Sequence, residues 1–76
     1  MDRSTKLKLA ASYLDALYKS VGVDKGETCA VYIKDEDLKA EIITVEIGSG
    51  TYRVCVVCDN YATIIKEVID QTIQKI

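Results

Sequence analysis

Apolar and polar positions alternate along this chain with two different periods, and the switches between them divide it into five elements. From about residue 5 to 21, Leu7, Ala10, Ala11, Leu14, Leu17, Tyr18 and Val21 recur at helical spacing and form one apolar stripe. Ser4 or Thr5 can supply the capping oxygen, and Gly22 suits the left-handed position after the last turn. Leu9, Tyr13 and Ala16 make a second, weaker stripe beside the first.

The period then drops to two. A strand is predicted over about 27–34, where Cys29, Val31 and Ile33 alternate with Ala30 and Tyr32. After the charged turn Asp35-Glu36-Asp37, strands over about 39–47 and 51–58 flank Gly48-Ser49-Gly50 and read as a hairpin. A two-residue turn at Gly48-Ser49 suits type II′ geometry, which wants glycine first. Moving the turn to Ser49-Gly50 keeps the same faces. Ile43, Val45 and Ile47 then share one face with Tyr52, Val54 and Val56; Ile42, Thr44 and Glu46 share the other with Arg53, Cys55 and Val57.

The helical period returns over about 60–75, capped by Asp59 or Asn60. Tyr61, Ile64, Ile65, Val68, Ile69, Thr72, Ile73 and Ile76 form the stripe, with Ile64, Ile65, Val68 and Ile69 expected deepest; Lys66, Glu67, Asp70, Gln71, Gln74 and Lys75 face water. The expected fold is α+β: a single αβββα domain over 1–76, a three-stranded antiparallel meander with both helices on one face.

That arrangement leaves the second sheet face uncovered. It carries Ile42, Thr44, Cys55 and Val57, with Tyr32 and Ala30 expected from the neighbouring strand, and only Glu46 and Arg53 charged, pairing across the hairpin. A wet sheet face is normally polar. An apolar one of several hundred Å² marks an interface. Tyr32, Ile42, Thr44, Arg53, Cys55 and Val57 are therefore the expected interface, covered by a partner or, preferably, by a second copy in a twofold homodimer.

Composition narrows the chemistry. The chain has 76 residues, 49% hydrophobic and 29% charged, with net charge −2. A chain this short buries only about 60% of its unfolded surface, so association would add needed support. There is no histidine, so a nucleophile lacks its usual base, and no catalytic set or cofactor signature is present. Enzymatic activity and cofactors are not expected. Met1 to Lys8 lacks the apolar run of a signal peptide, and no stretch approaches the roughly 20 apolar residues of a membrane span. A cytoplasmic, membrane-free protein with reduced thiols is expected.

Cys55-Val56-Val57-Cys58 is a C-x-x-C before a helix, which would suit a thiol-redox or ligand-binding protein. Residues three apart on a strand point to opposite faces, about 10 Å apart, too far for a bridge. Two small hydrophobes in a strand are the plainer reading. Cys29 could add a third sulfur, but a structural zinc wants four N or S ligands, and no metal is expected. Asp35, Glu36 and Asp37 should neighbour Asp59 at one end of the sheet. They are too few for calcium, but could meet a basic protein surface. Gly48-Ser49-Gly50 leads into a strand, so it is a hairpin turn and no phosphate cradle.

The element order resembles that of double-stranded-RNA-binding domains, which are αβββα and about this long. That family opens its second helix with a lysine cluster. Here the stretch is Asn60-Tyr61-Ala62-Thr63-Ile64-Ile65-Lys66, with one lysine near its end, and the acidic balance also opposes nucleic-acid binding. A compact acidic αβββα chain is also similar to some phage-encoded inhibitors of bacterial defence, anti-CRISPR proteins among them. That resemblance implies a non-enzymatic protein that acts by binding a host protein. A structural homodimer or scaffold is the alternative from the uncovered face.

Overall fold

A computed structural model of the chain describes residues 2–72 apart from Lys25, Glu27, Leu38 and Ser49. Its elements are α1 (Arg3–Ser20), β1 (Ala30–Asp35), β2 (Ala40–Ile47), β3 (Gly50–Cys55) and α2 (Tyr61–Thr72). The sheet is an antiparallel meander in the order β1-β2-β3. Both helices lie on one of its faces, giving the α+β architecture that the periodicity predicts.

α1 begins earlier than expected. Its cap is Asp2, whose carboxylate accepts from the Thr5 backbone N–H; Ser4 and Thr5 lie inside the helix. This bond, followed by one from Ser4, holds the Asp2 carboxyl below its usual range. Gly22 takes φ +75° after the last turn, where only glycine sits without strain. Leu7, Ala10, Ala11, Leu14 and Tyr18 are buried, whereas Val21 is exposed because the helix has ended before it. Leu9, Tyr13 and Ala16 point away from the sheet and are exposed.

Asn60 caps α2, its amide oxygen accepting from the backbone N–H groups of Ala62 and Thr63. Ile64, Val68 and Thr72 are the buried residues. Ile65 and Ile69, expected to be as deep, are half-buried at the side of the stripe, and Tyr61 is exposed in the first turn. Ile73, Gln74, Lys75 and Ile76 lie outside the described residues. The two helices meet through a buried polar pair: the Tyr18 and Thr72 hydroxyls are 2.6 Å apart, and Thr72 donates to the Val68 carbonyl. Without that partner, burying the Tyr18 hydroxyl would cost about 1–3 kcal/mol.

The hairpin register pairs Ile47 with Gly50, the spacing of a two-residue connection. The faces are those expected for β2 and β3. The turn chemistry differs, because the positive φ falls on Gly50 (+144°) rather than Gly48. Gly48 is instead anchored by donating its N–H to the Val23 carbonyl at 2.8 Å.

β1 corrects the expectation. Ala30 pairs with Val45 and Tyr32 with Ile43, so both lie on the helix-covered face; Val31 and Ile33 occupy the open one. Ala30 is buried and Tyr32 half-buried, its hydroxyl donating to Glu41 at 3.1 Å. The covered face is otherwise Ile43, Val45, Ile47, Val54 and Val56, buried against Leu7, Leu14, Ile64 and Val68.

Candidate interaction surface

With the register fixed, the open face is a set of cross-strand rows. Val31, Thr44 and Arg53 make one; Ile33, Ile42 and Cys55 make the next. Val31 and Ile33 are 45% and 46% exposed, and Val57, just beyond β3, is 75% exposed. Ile42, at the centre, is nearly covered although no helix lies on this side. The register explains it: Arg53 on β3 reaches Asp35 on β1 at 3.7 Å, and the line between them crosses Ile42. The expected Arg53–Glu46 pairing is thus replaced by one that arches over the apolar centre.

Tyr32 is therefore removed from the expected interface, while Ile42, Thr44, Arg53, Cys55 and Val57 remain on it with Val31 and Ile33 added. Thr44 Oγ1 is buried without a hydrogen-bond partner among the described residues. It borders a shallow depression of about 240 Å³ lined in part by Thr28, Val31 and Glu46. An unpartnered buried hydroxyl costs about 1–3 kcal/mol.

The acidic end is more balanced in space than in sequence. Asp35 is engaged by Arg53, while Glu36 and Asp37 are exposed. Asp59 pairs with Arg3, whose guanidinium also donates to Glu41 and to the Val56 and Cys58 carbonyls. Lys6 adds a bond to the Asp59 carbonyl at 3.3 Å. Arg3 thus ties the start of α1 to the segment after β3. Lys34 and Lys39 flank Glu36 and Glu41 in a shallow groove nearby.

All three cysteines are free thiols. Cys55 ends β3 and is exposed; Cys58 lies past the strand, half-buried. A hydrogen bond to Glu67 and partial burial push the Cys58 thiol up, opposite to what a redox nucleophile needs. Cys29 is buried and its thiol is pushed up to about 11, first by burial and then by donating to the Asp15 carboxylate. Asp15 also accepts the Cys29 backbone N–H at 2.7 Å, which draws its carboxyl down to about 2. Among the described residues no cluster of three or more His, Cys, Asp or Glu side chains could hold a metal. Nor is any helix among them long and apolar enough to cross a membrane.

Sequence reasoning missed Arg3, Asp15, Val31 and Ile33. No protein-family model matches the chain, and neither the curated proteins nor the solved structures contain a match.

Proposed function

We propose that this chain is a non-enzymatic protein-binding domain that presents its open sheet face to a partner. The observation that carries the reading is the exposure of Val31 and Ile33, neighbours on the sheet's helix-free side, with Val57 exposed just beyond β3. Three large aliphatic side chains left near or above half exposure on one surface mark an interface in a chain this small. Arg53 and Asp35 add a charged pair that arches over the centre of this face. Glu36 and Asp37 contribute steering toward a partner whose rim is basic. A cytoplasmic setting goes with this reading, supported by three unpaired cysteines.

The test uses Cys55→Lys combined with Val57→Glu, two exposed positions on the β3 side. A partner recovered with the wild type is purified and titrated against both forms. The expected result is a loss of affinity of at least about 100-fold, or roughly 2.7 kcal/mol, with an unchanged urea midpoint. Equal affinity for the double variant would refute the reading.

A further inference from the structure

The outer edge of β1 carries a second pattern, formed by the main chain. Glu46 donates its N–H to the Cys29 carbonyl at 2.8 Å. Because antiparallel bonds alternate along a strand, residues 31, 33 and 35 also use their main-chain groups toward β2, opposite 44, 42 and 40. The N–H and C=O groups of Ala30, Tyr32 and Lys34 therefore point away from the sheet. β1 is an edge strand, and no bond from these groups to another element is present among the described residues.

Edges are usually guarded by charge or covered. β3 has Arg53 in mid-strand. From Ala30 to Ile33 β1 carries no charge. Above its edge lies a groove of about 330 Å³, between Lys8, Ser12 and Asp15 on the flank of α1 and Ala30 and Tyr32 below. A strand added beside β1 would run along the mouth of this groove.

We propose that the occupant is β1 of a second copy, paired antiparallel about a twofold axis at Val31. The argument for a second copy is self-complementarity. α1 runs antiparallel to β1: Arg3 reaches Glu41, opposite Lys34, and Asp15 reaches Cys29. A twofold at Val31 therefore brings Lys8 of one copy toward Asp15 of the other, with the small residues Ala11 and Ser12 between them. It sets the free main-chain groups of Ala30 against those of Tyr32 in both directions. On the opposite side Val31 meets its own copy, so the two open faces join into one continuous apolar surface. The inference goes beyond the partner-binding reading, because it uses a different edge and different residues.

The test is sedimentation equilibrium of the purified chain from micromolar to millimolar concentration, with amide hydrogen exchange across the same range. The wild type should dimerise, and the Ala30 and Tyr32 amides should slow with concentration while the Thr44 and Ile42 amides stay unchanged. Lys34→Pro removes an N–H that β2 does not use, at an exposed position that would lie opposite position 28 of the second copy, and proline is tolerated on an edge. It should raise the dimer dissociation constant at least tenfold with native circular dichroism. Lys8→Glu, an exposed change that leaves the edge intact, should weaken the dimer in the same direction. A wild type monomeric at millimolar concentration, or a dimer indifferent to both variants, would overturn the proposal. A monomer that still binds a partner sensitive to Cys55→Lys/Val57→Glu sinks only the dimer; a dimer with no such partner sinks only the binding reading.

Discussion

Ile43 and Ile33 sit near each other on adjacent strands, yet one is fully buried and the other is 46% exposed. The residue type is the same and both lie within strands of the one sheet. What differs is parity: Ile43 points at α1 and α2, Ile33 at the helix-free side. Hydrophobicity alone therefore does not divide stability from recognition in this protein. The sheet does, with a core on one side and an apolar surface on the other.

Replacing one isoleucine at a time by alanine should break the symmetry most strongly. Ile43→Ala should cost about 2–5 kcal/mol in urea unfolding, the range for a large-to-small change in a packed core. Ile33→Ala should cost less than about 1 kcal/mol, since it vacates no enclosed space. Equal losses would mean that the open face is packed like the covered one. Within α2, Ile64→Ala should likewise exceed Ile65→Ala, because Ile64 is buried and Ile65 only half so.

A polar contact sharpens the same comparison at the edge of the core. Asp15→Ala removes the acceptor for the Cys29 N–H and should cost about 1.5–3 kcal/mol, as for a hydrogen bond to a charged group. The pH dependence has a definite sign. Asp15 has a lower pKa folded than unfolded, so its contribution is present above the ordinary carboxylate value near 3.8 and is lost as pH falls toward about 2. Acid titration of the wild type should show that extra loss, and Asp15→Ala should flatten it over the same window.

The smallest effect on stability belongs to the open face. Cys55→Lys/Val57→Glu should move the unfolding free energy by no more than about 0.5 kcal/mol, because both side chains already meet water. A large destabilisation would show that this face supports the fold instead of serving association.

The two faces were not equally legible. For β2 and β3 the short glycine connection fixes parity, and one correct turn length assigns every side chain to its face. For β1 the connection runs through Glu36, Asp37 and Lys39, with Lys39 at φ +51°, and nothing in the residue types fixes its register. Placing Tyr32 on the open side was therefore wrong. Ala30 and Tyr32 are on the covered side because they pair with Val45 and Ile43, and from there the Tyr32 hydroxyl reaches Glu41. Val31 and Ile33, which look like core residues, are left outside. Arg3 was illegible for another reason: two of its acceptors are the carbonyls of Val56 and Cys58, which carry no side-chain signature. The helices were read well where burial follows the period and less well where a stripe is wider than the surface it meets, as at Ile65, Ile69 and Tyr61.

Site-specific photo-crosslinking in the cells that encode the protein tests the central claim most directly. A photoreactive phenylalanine analogue is placed at position 57, 75% exposed on the open side, or at position 13, 51% exposed on the outer side of α1. The two sites are comparable in access and opposite in orientation. Position 57 should yield a discrete covalent adduct with another protein, and position 13 should not. Adducts from position 13 alone would contradict the account and move the interaction to the helical side.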